Sequence, residues 1–368
     1  LWSRAISDGT GGSTIKALIL AGGRGTRLRP ITHTSAKQLV PVANKPILFY
    51  AIEAIRDAGI RDIGIIVGDT ADEVMQAVGD GTRFDARVQY IRQEAPLGLA
   101  HAVKISRDYM GDDPFVMYLG DNLLSGGIKG FVQEFTRGKH DAQILLTRVK
   151  NPSDFGVAEL QGDRVVGLEE KPKQPKSDYA LVGVYMFTPS IFIATDAIKP
   201  SRRGELEITD AIQYLIANGY HVQSHIVEGW WKDTGKLEDM LDANRMVLTG
   251  MATRVETKQL EDSEFHGHVH LDDDVEVRGS ILRGPCIVGK GSRIINAYIG
   301  PFTSVGPGSH IENSEVENSI ILENCTVLDI GSRLSDSLIG RNVVLRRGTK
   351  PPRAYRLMVG DNSEITVL

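Results

Sequence analysis

Small apolar residues recur every six positions in the last third of the chain: Val269, Val275, Ile281 and Ile287, then Ile299, Val305 and Ile311. Helical periodicity stops where this repeat begins. Stretches such as "IVGKGS", "YIGPFTSVGPGS" and "LIGRN" add the small residues that tight corners need. The pattern predicts stacked triangular coils, a parallel β-helix of roughly five turns in which each coil buries its apolar side chains against its neighbours. The period slips at 287–294 and again near 316–321, and a β-sandwich with coincidental spacing is the alternative reading.

From Ile15 to about Gly250 the texture differs. The short apolar runs "KALIL", "DIGIIV", "RVQYI" and "PFVMYL" alternate with amphipathic segments, the signature of a mostly parallel sheet flanked by helices. Residues 46–58 place Leu48, Ile52 and Ile55 on one helical face, with Pro46 near the start and Gly59 as the C-terminal cap. A second helix starts at Thr70, with Asp72 and Glu73 in its first turn. The expected division is a disordered leader over 1–14, an α/β domain over 15–250, a β-helix over 251–345 and an irregular basic tail over 346–368 with Pro351 and Pro352.

The net charge of −5 leaves no global positive excess for a nucleic-acid partner, so any anion site must be local. Cys286 and Cys325 lie far apart without metal-ligand spacing, which argues against a disulfide framework or zinc knuckle and suits a reducing compartment. No apolar run reaches the length of a membrane span, so the expectation is a cytoplasmic protein with no membrane partner.

The local anion site is legible in "LILAGGRGTRLRP", residues 18–30. A strand that runs directly into a glycine-rich turn and then into positive side chains presents backbone N–H groups and charge to phosphate. Two common forms of this device are excluded. The P-loop ending Gly-Lys-Ser/Thr is absent, and Leu28 stands where a dinucleotide fingerprint needs glycine. Lys37, ten residues beyond Arg27, offers a second cation to the same polyphosphate, and Arg24 is a further candidate or a solvated side chain.

The run "GGRGTRLRPITHTSAKQLVPVANKP" resembles the signature of the sugar-1-phosphate nucleotidyltransferases, and its "SAKQLVP" segment is similar to the glucose-1-phosphate thymidylyltransferase branch. "YLGDN" at 118–122, "EEKP" at 169–172, "RGELEITD" at 203–210 and "WWKDTG" at 230–235 follow in that family's order. The resemblance implies a Rossmann-like α/β nucleotidyltransferase domain with a mixed, mostly parallel sheet, followed by a hexapeptide-repeat left-handed parallel β-helix. It also implies a reaction: a sugar 1-phosphate oxygen attacks the α-phosphorus of dTTP, or of UTP, and pyrophosphate leaves. Such chemistry rests on positioning and charge neutralisation.

By the same resemblance Asp121 and Asp233 are expected to hold Mg²⁺, Arg27 and Lys37 the triphosphate, and Lys171 the sugar phosphate. Leu20, Gly22, Gly23, Gln93 and Gly98 are assigned to the nucleotide, and Asn122, Gly156, Glu170 and Thr209 to the sugar. Two departures bear on the nucleotide. Leu97 replaces an acidic residue before Gly98, and Lys232 replaces an apolar one, so dTTP and UTP both stay open. The β-helix suggests assembly into a homo-oligomer. Its "FHGHVH" segment, with His266, His268 and His270 alternating as on one strand face, keeps open an acyltransferase base or a metal cluster. A non-catalytic scaffold is the third reading, against which stands the presence of Arg27, Lys37, Asp121, Lys171 and Asp233 together.

Overall fold

The computed structural model describes residues 15–348 and 357–366, apart from Arg24, Asp163 and Lys258. The expectations for the leader, for Arg24 and for Pro351 and Pro352 lie outside the described residues.

Four apolar runs form the first strands, β1 (Lys16–Leu20), β2 (Asp62–Val67), β3 (Arg87–Arg92) and β4 (Phe115–Leu119). They lie side by side in the order β3-β2-β1-β4, all parallel. In β1 and β4 both faces are covered, which is why these strands read as unbroken apolar runs and not as alternation. Beyond β4 the chain makes β5 (Asn122–Leu124), β6 (Ala142–Arg148), β7 (Gly156–Gln161), β8 (Arg164–Glu170), β9 (Tyr179–Phe187), β10 (Val222–Ile226) and β11 (Trp231–Asp233). The nine-stranded sheet continues β4-β9-β6-β10-β8-β7, with β9 antiparallel to both β4 and β6. The sheet is therefore mixed. A strand buried on both faces, as β9 is, has the same composition whichever way it runs. β5 and β11 leave the sheet and pair with each other, antiparallel.

Helices cover both faces. α1 (Ile47–Asp57) buries Leu48, Ile52 and Ile55, and α2 (Ala71–Val78) begins after Thr70. α3 (Leu99–Ile105) and α4 (Ile208–Ala217) cover the opposite face, where Ala100 and Val103 of α3 and Ile212 and Leu215 of α4 join the core. α5 (Leu237–Thr249) leads out of this part of the chain.

The last third forms three parallel sheets of six, six and five short strands, consistent with a left-handed β-helix. The first coils are offset by seventeen residues, as in the register Val269 to Cys286 to Thr303, and later ones by sixteen, as from His310 to Thr326, or eighteen, as from Ile320 to Leu338. The side chains filling the interior of the first coils are Leu271, Val277, Leu282, Val288, Ile294 and Ile299, so in these coils one side of the triangle is a residue shorter than the other two. That short side corrects the strict six-residue register. Ile281 faces outward, and Ile287 packs outside the coil against Leu248 of α5.

The histidines need a second correction. His266 ends one strand, Gly267 turns the corner at φ 71°, and His270 lies in the next strand, Val269–Leu271. The three do not share a strand face. His266 meets Glu264 at 3.1 Å, His268 meets Thr253 at 3.3 Å and His270 meets Asp272 at 3.2 Å. Among the described residues no group of three or more His, Cys, Asp or Glu is arranged to hold a metal, and no helix is long and apolar enough to cross a membrane.

Candidate active site

The carboxyl ends of β1 and β4 sit next to each other, and Gly120 donates its N–H to the Leu20 carbonyl at 2.9 Å. This is the edge at which open α/β sheets bind ligands. The glycine-rich turn crosses it. A Cβ on Gly22 would lie 3.4 Å from the Gly68 nitrogen and 3.7 Å from Gln93 Oε1, so the turn runs directly beside the end of β2 and the residue following β3. Gly25 adopts a left-handed φ of 62°, and a Cβ there would come within 2.8 Å of Lys37 Cβ. Only glycine allows the Arg27 turn and the Lys37 turn to close on each other so tightly.

Lys37 forms an ion pair with Asp121. The β5–β11 ladder sets Asn122 opposite Asp233, and Thr234 donates its N–H and its hydroxyl to the Asp121 carbonyl at 3.1 and 2.7 Å. The space beside Gly235 is shared by Asp233 Oδ2, 3.1 Å from where a Cβ would stand, and both Arg27 terminal nitrogens at 3.3 Å. Arg27, Lys37, Asp121 and Asp233 thus meet from three segments far apart in the chain.

Their electrostatics are uneven. Burial disfavours the Asp121 carboxylate, but the Lys37 ammonium and hydrogen bonds from Lys37 and Asn122 outweigh it and hold its carboxyl below the usual range. Asp233 makes no comparable ion pair among the described residues, and the weaker pull of Lys37 and Arg27 does not offset its burial. Burial, and then the neighbouring Asp121 charge, push its carboxyl up to about 6. Two half-buried carboxylates whose repulsion is incompletely compensated are hard oxygen donors suited to a divalent cation such as Mg²⁺.

A second cluster lies at the end of β8. Gly156 and Glu170 are register partners. Thr209 at the start of α4 donates to Glu170 Oε2 at 3.3 Å, and a Cβ on Gly156 would lie 2.7 Å from Thr209 Cγ2 and 3.2 Å from Glu170 Oε2. Burial and the nearby Glu207 charge raise the Glu170 carboxyl above its ordinary value. Lys171 follows at a positive φ of 44°, exposed, with no carboxylate partner among the described residues. The two clusters are joined by aromatic contact. The Phe155 ring meets the Trp231 ring edge-on at 5.4 Å, and Trp231 Nε1 donates to Asn122 Oδ1 at 2.7 Å. Asn122 is buried and its amide is engaged with Trp231 and with Asp121.

The third group is the loop from Gln93 to Gly98, termed the base loop after its expected role. Gln93 Nε2 donates to the Gly98 carbonyl at 3.2 Å and lies 3.0 Å from His101 Nδ1. Leu97 is exposed at the rim. Lys232 lies between Trp231 and Asp233 in β11, so alternation turns it to the other face, where it pairs with Asp239 at 2.8 Å and Asp242 at 3.0 Å of α5.

Two neighbours were not foreseen in the sequence. Gln38 is buried beside Gly23, and its Oε1 has no hydrogen-bond partner among the described residues. Its one sequence signal is a polar residue directly after Lys37 in an otherwise apolar run. Arg203 pairs with Glu207, four residues on in "RGELEITD", at 2.7 Å and reaches across to Glu170 at 3.4 Å, the second a contact that no local pattern announces.

The nucleotidyl transferase family model matches residues 16–250. The chain belongs to that family. Within the nucleotidyl transferases it is 54% identical, over 96% of its own length and 99% of the relative's, to a glucose-1-phosphate thymidylyltransferase of Streptomyces griseus. A protein of the same name from Streptomyces antibioticus is 56% identical over 96% and 99%. The low-salt glycan biosynthesis nucleotidyltransferase Agl11 of Haloferax volcanii is 45% identical over 95% and 99%. Among solved structures, UDP-glucose pyrophosphorylase in complex with UDP-glucose superposes with a TM-score of 0.58 at 25% identity, covering 65% of this chain and 100% of the other.

Proposed function

We propose that this chain is a glucose-1-phosphate thymidylyltransferase, joining dTTP and glucose 1-phosphate into dTDP-glucose with release of pyrophosphate. The convergence of Arg27, Lys37, Asp121 and Asp233 at the carboxyl edge of the sheet carries the reading. A sugar phosphate oxygen forms the new bond to the α-phosphorus of dTTP as the bond to the β-phosphate oxygen breaks, and the electron pair leaves with pyrophosphate. No enzyme side chain is acylated or phosphorylated, so the chain's task is to align two polyanions and neutralise them.

In this reading the planar fork of Arg27 and the compact charge of Lys37 hold the triphosphate, and the free ammonium of Lys171 holds the sugar phosphate. Leu20, Gly22 and Gly23 run along the nucleotide, and Gln93 and Gly98 face the base. Glu170, Thr209, Gly156 and Asn122 form the sugar side. Asp121 and Asp233 would hold Mg²⁺, which when bound supplies positive charge to phosphate oxygens. The site is assigned to a catalytic unit over 15–250, and the coils over 251–345 to assembly of a homo-oligomer. Outward-facing Ile281, and Phe265, which is in register with the interior Leu282 but stays exposed on its coil, support that assignment. Substrates of this kind place the reaction in the cytoplasm.

The test is pyrophosphate release with glucose 1-phosphate and Mg²⁺, run in parallel with dTTP, UTP, ATP, CTP and GTP, each product identified by mass. A dominant dTTP signal is expected; equal rates with UTP would assign dual use to the loop around Leu97. Asp121→Asn and Asp233→Asn are each expected to lower turnover by at least about a hundredfold. Full activity of either variant at ordinary magnesium would refute the metal assignment.

A further inference from the structure

The β-helix does not merely follow the catalytic unit; it grips the segment that carries Lys37. Ile320 and Leu322 from the coils share one buried cluster with Leu28, Val40 and Val42 of the nucleotide loop and with Ile47 at the start of α1. Buried Asn244 of α5 accepts the Ala43 N–H at 2.8 Å and the Ser304 hydroxyl at 2.6 Å, and donates to the Phe302 carbonyl at 2.9 Å. One side chain thus ties loop, helix and coil together. Two further contacts fall on the residues immediately before Lys37. The Ala36 N–H donates to Glu73 of α2 at 2.7 Å. Arg341, just past the coil strand Leu338–Ile339, donates from Nη1 to the Ser35 hydroxyl at 3.0 Å while its Nε pairs with Glu323 of the preceding coil at 2.5 Å.

We propose that Arg341, oriented by Glu323, is a positioning residue for nucleotide binding: through Ser35 it sets the place of Lys37, and so couples the β-helix to the site. The geometry suits the role. Glu323 fixes the guanidinium plane, leaving one terminal nitrogen to hold a largely buried hydroxyl two residues from the lysine. Lys37 has little freedom of its own, because Gly25 and Asp121 hold its stem and its ammonium. A shift of its backbone is therefore transmitted to the charge that faces the triphosphate. A small displacement of a positioned group suffices to slow a reaction that depends on alignment.

The proposal rests on the thymidylyltransferase reading, and the experiment separates the two. In the full chain, Arg341→Ala is expected to lower kcat/KM for dTTP by roughly three- to tenfold, the worth of one hydrogen bond, with KM for glucose 1-phosphate unchanged. Ser35→Ala should reproduce the loss, and the double variant should lose no more than either single one. Arg341→Lys keeps the charge but cannot serve Glu323 and Ser35 at once, and should fall between. Independently of catalysis, amide hydrogen exchange over residues 35–40 should quicken in Arg341→Ala while the sheet core stays protected. Unchanged exchange there overturns the brace whatever the activity. So do additive losses, or equal losses for both substrates accompanied by general loosening. An inactive parent chain with the expected exchange pattern would count against the assigned reaction and leave the brace standing.

Discussion

Glu170 shows how a single side chain at this site is kept at some expense to stability. Its carboxyl is raised by burial and by the Glu207 charge, and the donors Arg203 and Thr209, at 3.4 and 3.3 Å, do not fully compensate. A carboxyl with a raised folded pKa holds its proton more tightly folded than unfolded. Stability therefore falls as pH rises from the ordinary carboxylate value through the raised one, and the cost persists above it. Glu170→Gln escapes this cost. The variant should melt above the parent at about pH 8, and the gap should close at about pH 3, below the ordinary carboxylate value, where the carboxyl is protonated in the folded and the unfolded chain alike. Its KM for the sugar phosphate should rise, by roughly tenfold, because an amide donor replaces one of the two acceptor oxygens of the carboxylate. Melting curves at the two pH values with sugar kinetics check both halves. A variant that melts no higher than the parent at the upper pH would mean that Glu170 is already well compensated. At this scale the sequence pointed to side chains that the fold brings together where they lie in contiguous patterns, as for Arg27, Lys37 and Asp121. It was silent on Gln38 and Arg203, whose surroundings are assembled from segments that meet only after folding.

Among the elements, the base loop shows a turn whose conformation is dictated by a distant backbone. α3 begins at Leu99, and Gly98 precedes it at φ 101°. A Cβ at Gly98 would lie 2.4 Å from the Leu206 carbonyl oxygen and 2.7 Å from its nitrogen, and neither can swing aside as a side chain would. Gly98→Ala should therefore cost about 1–3 kcal/mol. It should also raise KM for dTTP more than KM for glucose 1-phosphate, since Gln93 is anchored on the Gly98 carbonyl. Thermal melts and paired KM values decide it; unchanged values for both would mean that the loop and the Leu206 segment are not coupled. The elements themselves were legible to different degrees. The first four strands and α1 could be read because local burial pattern and local caps determine them. The direction of β9 could not, because pairing partners leave no trace in a fully buried strand. The coil repeat was visible as a period of six, but its short third side was hidden. Ile281 and Ile287 kept the apparent rhythm while pointing outward, and the inward series ran through Leu282 and Val288.

At the scale of the whole molecule, the coils have two apolar faces with different consequences. The interior, represented by Ile294, is shared only among coils, whereas Ile320 points into the seam with the nucleotide loop and α5. Both side chains are fully buried, so Ile294→Ala and Ile320→Ala should each cost about 2–4 kcal/mol through lost transfer energy and a cavity. Their effects on catalysis should part. A cavity at Ile294 leaves the register of the seam intact, because packed coils relax locally around a missing side chain and each touches only its neighbours. One at Ile320 removes a wall against which Leu28 and Val40 rest, two residues that flank the Arg27 and Lys37 turns. Thymidylyl transfer measured well below both melting temperatures should therefore stay at the parent level for Ile294→Ala and fall several-fold for Ile320→Ala. Equal activity in two variants of equal stability would reduce the β-helix to an appendage. The expected divergence makes it part of what holds the nucleotide loop in place.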